Sequence, residues 1–236
     1  MNISLIIAAY NEEKYIGSCL QSCLADAPDN LCEIIVVDNG STDATAHIAR
    51  QFPRTLVVTE PKKGLTRARQ RGLHEAKGDV VFSIDADTRI PRGWFSAMQE
   101  ELQKPGVVCV SGPFTFYDFP AWKRACVNAY WKMSARLTSA TTEYMAAGGN
   151  FGAWKDALER AGGFNTAIEF YGEDTDLARR MHGVGKVVFS PRCSIETSAR
   201  RFAAEGMIRT TVIYALNYLW IVALHRPLTT KYKDIR

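Results

Sequence analysis

Two aspartates one residue apart, Asp85 and Asp87, close the apolar run Val80-Val81-Phe82-Ser83-Ile84. On an extended backbone, residues i and i+2 start on the same side. Like charges held that close repel and resist desolvation unless a cation or hydrogen-bond donors compensate them. The chemistry favoured by the pair is therefore a divalent-cation or phosphate-linked site. The plain alternative is a turn in which Asp87 caps the following helix. Three further acidic clusters follow strand-like runs or open a helix: Tyr10-Asn11-Glu12, Asp38-Asn39-Gly40-Ser41-Thr42-Asp43, and Gly172-Glu173-Asp174-Thr175-Asp176.

The segments that must position these residues alternate in period. ISLIIAA precedes a helical stretch from about Glu12 to Leu24, and EIIVVD precedes another opening at Thr42 or Asp43. TLVVTE precedes GLTRARQRGLHEAKG, and VVFSID precedes PRGWFSAMQEELQ. Short apolar strands alternating with helices predict a parallel sheet covered on both faces. Ligands of such sheets bind beyond the carboxyl ends of the strands, where Asp38 and Asp85 fall. The second half is less regular: VVCVSG and GKVVFSP read as strands, residues 120–137 as a helix, and Glu173 to His182 as another. No internal repeat or low-complexity linker divides the chain.

Composition bounds the rest. The chain has 236 residues, 47% of them hydrophobic, enough for one substantial core. A net charge of +4 does not by itself point to nucleic acid, and no nucleic-acid partner is expected. The six cysteines have no paired CxxC spacing and read as buried free thiols of a reducing compartment. The amino-terminal apolar stretch runs only from Ile3 to Ala9, without the basic start or cleavage site of a signal peptide, so the expected location is cytoplasmic.

Two rival motifs can be weighed. A dinucleotide fold would explain Asp38 as a ribose-binding acid, but YNEEKYIG carries no GxGxxG after the first strand. DADTR approaches the Asp-x-Asp-x-Thr pattern of aspartyl-phosphate phosphatases, yet Arg89 stands where the threonine belongs and Thr88 is one short.

Taken in order, AAYNEE, VVDNGSTDAT, GLTRARQRG, IDADTRIP, GGNFGAW, GGFN and GEDTDLARRMHGVG resemble glycosyltransferase family 2, inverting nucleotide-sugar transferases. Each stretch is weak alone; the ordered set, from Ile3 to about Pro191, is strong. The resemblance implies a GT-A-like α/β fold over residues 1–200, its mostly parallel central sheet flanked by helices on both faces. A carboxy-terminal helical extension would cover 201–236. It implies that Ala8, Ala9, Tyr10 and Glu12 line the base and ribose end of a nucleotide pocket, that Asp38 contacts base or ribose, and that Arg69 holds the nucleotide. Asp85 and Asp87 match the DxD motif, with Asp87 ligating Mg²⁺ or Mn²⁺ at the diphosphate and Asp85 holding ribose or the metal's water shell. Gly148, Gly149 and Asn150 would floor the donor-sugar pocket. Glu173 and Asp174 match the Glu-Asp pair, with Asp174 as general base; acids at that position also suit a helix start. The implied substrates are a nucleoside-diphosphate sugar, with uridine favoured, and a glycan or lipid-linked acceptor.

Two departures limit the transfer of roles. Many relatives carry a histidine after the last strand that can complete the metal site; SPRCSIETSARRF offers Glu196-Thr197 instead, with Arg200 or Arg201 as candidates for neutralising diphosphate or as a solvated basic turn. The Gln-x-x-Arg-Trp motif of processive synthases is missing, which favours single-sugar transfer. Phosphotransfer through Asp85, or sugar-nucleotide binding without catalysis, are the other classes the residues allow.

Two helices raise a separate question. Residues 120–137 put Trp122, Cys126, Tyr130, Met133 and Leu137 along one side with basic residues elsewhere, the pattern of an amphipathic basic helix. Such a stripe most commonly faces a core. Thr210 to Leu224 carries no charge and is short of the roughly 20 residues of a bilayer span. It reads equally as an interfacial helix at the inner membrane surface or as a buried or subunit-facing helix of a homo-oligomer.

Overall fold

The computed structural model describes residues 1–229; the last seven residues of the carboxy-terminal extension expected at 201–236 lie outside that range. The first half forms β1 (Ile3–Ala9), α1 (Ile16–Ala25), β2 (Leu31–Asp38), α2 (Thr45–Ala49), β3 (Thr55–Thr59), α3 (Leu65–Glu75), β4 (Val80–Asp85) and α4 (Trp94–Leu102). The second half forms β5 (Val107–Ser111), β6 (Phe114–Phe116), α5 (Ala121–Thr141), β7 (Asn150–Trp154), α6 (Lys155–Arg160), α7 (Glu173–His182), β8 (Lys186–Phe189), β9 (Ile195–Thr197), α8 (Arg200–Glu205) and α9 (Met207–Leu224).

Among the described residues, seven strands make one sheet in the order β3-β2-β1-β4-β7-β5-β8, and β6 pairs with β9 in a second. β1 is buried along its whole length, as a central strand covered on both faces must be. Its side chains alternate: Ile3, Leu5 and Ile7 join a core with Ile16 and Leu20 of α1 and Trp94 and Phe95 of α4. Ile6 and Ala8 join a second core with Ala68 and Leu73 of α3 and Leu177 and Met181 of α7. The mostly parallel sheet with helices on both faces is as expected.

Three details differ from the sequence expectation. α1 begins at Ile16 rather than near Glu12, because residues 12–15 form a turn in which the Glu12 carbonyl accepts from both Tyr15 N and Ile16 N at 2.9 Å. α2 begins at Thr45, because Asp43 turns its carboxylate onto Thr45 N at 3.0 Å and Glu13 N at 3.1 Å. Those donors hold the Asp43 carboxyl below its ordinary range although partial burial opposes them. β7 runs antiparallel between β4 and β5, with Ile84 opposite Asn150.

Candidate active site

The carboxyl ends of β1, β2 and β4 lie level, since Ala9 pairs with Asp38 and Ala8 with Asp85. The reversed β7 brings its amino-terminal end to the same edge, which is why Gly149 reaches Asp85 and Gly148 reaches Glu173 and Arg69. A side-chain carbon on Gly149 would overlap Asp85 Oδ2, and one on Gly148 would overlap Glu173 Oε1 and lie 3.0 Å from the Arg69 guanidinium. Backbone therefore occupies space that no side chain could share. Gly149→Ala should displace the Asp85 carboxylate, lower stability by about 1–3 kcal/mol and weaken nucleotide binding. Denaturant unfolding and calorimetric titration with nucleoside diphosphates check both effects.

Arg69 organises the floor. It comes from the middle of α3, is buried, and donates from Nη1 to Glu173 Oε1 at 2.7 Å and from Nη2 to Asp85 Oδ1 at 2.9 Å. In this structure its guanidinium thus ties the DxD segment to the Glu-Asp segment. Burial pushes the Glu173 carboxyl up to about 7 despite the opposing pull of Arg69, and the Asp174 charge adds to the rise. Asp174 is raised by burial too, offset partly by the backbone N–H groups of Thr175 and Gly148. Thr175 N donates to Asp174 Oδ1 at 2.7 Å, which fixes one carboxylate oxygen at the start of α7. Acids in the first turn of α7 and Arg179, Arg180 and His182 in the last match the helix dipole. The segment thus opens α7 and at the same time places Glu173 against Arg69.

A second cluster surrounds Asp87. Arg200 Nε lies 3.0 Å from Asp87 Oδ2, Thr197 Oγ1 donates to Asp87 Oδ1 at 3.2 Å, and Arg200 Nη2 pairs with Glu12 Oε1. The stretch expected to follow the last strand itself forms β9, and of its candidates Thr197 and Arg200 meet Asp87. Arg201 instead pairs with Glu205 at 2.9 Å, and Glu196 forms a backbone bridge with Arg89. No group of three His, Cys, Asp or Glu side chains able to enclose a metal occurs among the described residues. Asp85 and Asp87 alone fit Mg²⁺ or Mn²⁺ of the kind that shares its coordination between one or two carboxylates and phosphate oxygens.

Beyond the ends of β1 and β2 lies a cleft lined by Ala8, Tyr10, Asn39, Lys63, Ala68 and Phe170. Lys63 Nζ lies 4.0 Å from the Tyr10 ring centroid. Asp38, the neighbour of Asn39, is buried and accepts from Ser41 N at 3.1 Å. Two expected residues point elsewhere. Glu12 turns to Arg200 rather than to the Tyr10 cleft. Asn150 is fully buried: its Oδ1 accepts from Trp94 Nε1 at 3.2 Å and its Nδ2 donates to the Cys193 carbonyl at 2.8 Å. That amide braces the sheet edge, and it is the two glycines before it that meet Asp85 and Glu173.

Asn39 and Tyr214 were not foreseen. Asn39 donates to the Glu60 and Lys62 carbonyls at 2.8 and 2.9 Å and accepts from Gly64 N at 2.8 Å, holding the loop that carries Lys63. Its only signal was adjacency to Asp38. Tyr214, on α9, stacks edge-on against Tyr171 with centroids 5.6 Å apart. Desolvation of its hydroxyl raises the phenol above its ordinary range although part of the ring is exposed, and the nearby Asp174 and Asp85 charges act in the same direction. Nothing in the run from Thr210 to Leu224 signalled the packing against Tyr171.

Comparison with known proteins fixes the family. The profile of "Glycosyl transferase family 2" matches residues 4–162, more than half of the chain. The chain belongs to this family. Among its relatives, the family 2 chain is 29% identical over 195 residues to the beta-monoglucosyldiacylglycerol synthase of Synechocystis, covering 76% of this chain and 40% of that protein. Among solved structures it superposes on the mannosyltransferase PcManGT of Pyrobaculum calidifontis, in complex with GDP-Man and Mn²⁺, with TM-score 0.73 and 21% identity, covering 95% of this chain and 64% of that one. It also matches glucosyl-3-phosphoglycerate synthase of Mycobacterium tuberculosis, in complex with Mn²⁺, UDP and phosphoglyceric acid, with TM-score 0.64 and 19% identity, covering 94% and 77% of the two chains. These neighbours share the GT-A fold. The family 2 chain spans less than half the length of the first curated relatives it matches.

Proposed function

We propose that the chain transfers a single sugar, with inversion, from a nucleoside-diphosphate sugar to a hydroxyl of a glycan or lipid-linked acceptor. The observation that carries this reading is that Asp85, Gly148-Gly149 and Glu173-Asp174 gather around Arg69 at one sheet edge, with Asp87, two residues after Asp85, held beside them by Arg200. The Ala8–Phe170 cleft would take the base and ribose, with Asp38 and Tyr10 at its rim. Uridine is the working choice of base, supported by the UDP named with the mycobacterial synthase; GDP-Man is named with the archaeal enzyme. The diacylglycerol in the Synechocystis relative's name supports a lipid acceptor.

The chain's own groups supply the chemistry. Asp174, held at one oxygen by Thr175 N, would accept the proton of the acceptor hydroxyl as that oxygen attacks the anomeric carbon from the face opposite the diphosphate. Arg69 would hold Asp85 and Glu173 in place, and the glycine backbone would admit the sugar. Asp87, with Asp85 beside it, would hold a divalent cation, Mg²⁺ or Mn²⁺, which when bound neutralises charge on the departing diphosphate. Arg200 would add positive charge at the same end. Six free cysteines fit a reducing compartment, and the reading places the enzyme on the cytoplasmic side.

The metal assignment has its own test. Asp87→Ala should weaken nucleoside-diphosphate binding by about tenfold or more in Mn²⁺, where a ligand is lost, and change it little in chelator. Titration calorimetry under both conditions reads the difference. Equal weakening with and without metal would contradict the role given to Asp87.

A further inference from the structure

The stripe on α5 does not face the core. Trp122, Met133 and Leu137 are 66%, 64% and 62% exposed, and Cys126 and Tyr130 on the same side are exposed as well. The helix is held to the domain by another face. Trp131 Nε1 donates to the Phe114 carbonyl at 3.0 Å and its ring stacks on Phe189, while Thr138 is buried. α9 repeats the arrangement. Thr210, Asn217 and Ile221 turn inward, and Ile221 packs against Gly172, whose φ of +81° and lack of a side chain admit it. Ile208 and Leu219 remain 82% and 59% exposed, with Val212 and Leu216 between them. The two helices meet where Thr142 Oγ1 lies 3.1 Å from the Tyr218 hydroxyl.

Charge decides what such a surface fits. Residues 119–142 and 206–229 contain no Asp or Glu at all, whereas the whole chain has 25 in 236 residues, so 48 average residues would carry about five. Their charged side chains are cationic: Lys123, Arg124, Lys132 and Arg136 around α5, and Arg209 and Arg226 at the ends of α9. Exposed aromatic and aliphatic groups edged only by cations complement one kind of partner, an apolar layer under anionic headgroups. A self-pairing interface would set these like charges against each other, and interface cores are depleted of charge.

We propose that α5 and α9 form a docking surface for an anionic lipid bilayer, on which both helices lie in the plane of the headgroups. The 18 residues of α9 rise about 27 Å, close to the hydrocarbon thickness, and none is charged after Arg209. Its inward contacts at Thr210, Asn217 and Ile221 nevertheless run along the helix, so spanning would strip it from α7. Lying on the surface keeps those contacts and buries the opposite face. Because Ile221 of this helix packs on Gly172, next to Glu173-Asp174, docking would also bring the acceptor side of the site to the lipid surface, a consequence that rests on the transfer reading.

The experiment is flotation of the full chain with vesicles of phosphatidylcholine alone or of phosphatidylcholine with phosphatidylglycerol, without donor or acceptor, so the result is independent of sugar transfer. The chain should float with the anionic vesicles, at least about tenfold more tightly than with the neutral ones, and lose that preference in high salt. The triple variant Trp122→Ser, Met133→Ser, Leu137→Ser should lose binding by about tenfold while donor hydrolysis stays unchanged, which shows that it folds. Failure of the wild-type chain to float with anionic vesicles overturns the proposal. So does a triple variant that floats normally but passes from dimer to monomer in light scattering, since the stripe then covers a second copy.

Discussion

Asp174→Asn should lower single-turnover sugar transfer by about 10²–10⁴, the usual cost of losing a general base, while nucleoside-diphosphate affinity changes little. Asparagine keeps the shape and can still accept from Thr175 N through its amide oxygen, so the start of α7 should survive. What it cannot do is take a proton at neutral pH. The acid limb of the wild-type pH–rate profile provides a second readout. Burial raises the Asp174 pKa, so activity should fall with decreasing pH at a midpoint above the ordinary carboxylate range, as the base is protonated. That limb should vanish from the residual activity of the variant. If Asp174 were only a helix cap, transfer would persist near the wild-type rate.

Arg69→Ala should be the most destabilising single change at the site. It leaves Glu173 buried without its partner, and Asp85 loses a donor at 2.9 Å. Breaking a buried ion pair from one side costs about 3–5 kcal/mol, and the lower end applies because Asp85 is open to solvent on one side. Denaturant unfolding measures the loss. Adding Glu173→Gln should recover part of it, since the orphaned carboxylate goes with its partner. The single Glu173→Gln variant therefore serves as a control of a different kind from Asp174→Asn: it should lose stability together with activity, whereas Asp174→Asn should lose activity alone.

Much of this arrangement was legible because parallel strands covered on both faces must be apolar along their length, and polar residues then mark their ends. Asp38 and Asp85 stand out for that reason, and so does the run of acids that opens α7. Neither β7 nor its direction was legible, because NFGAW is short and strand polarity leaves no local trace. With it went the reason why Gly149 meets Asp85 and Gly148 meets Glu173. The double pairing of Arg69 joins residues 16 and 104 positions away, which no local pattern encodes. Asn150 and Glu12 belong to motifs whose spacing was right, but their side chains turn to Trp94 and Arg200, because spacing places a Cα and packing chooses the rotamer. The α5 stripe was visible as a pattern; only the fold shows that Trp131 holds the helix and leaves the stripe outside.

The central claim is that the edge formed by Asp85, Asp87, the two glycines and Asp174 activates a nucleoside-diphosphate sugar. The most direct measurement incubates the full chain with a panel of such donors in Mn²⁺ or Mg²⁺, without acceptor, and follows nucleoside-diphosphate release by phosphorus NMR. The account predicts release from at least one donor, abolished by chelator and by Asp87→Ala. Release from no donor, together with a stable phosphoryl group trapped on Asp85 after exposure to a phosphate donor, would contradict it.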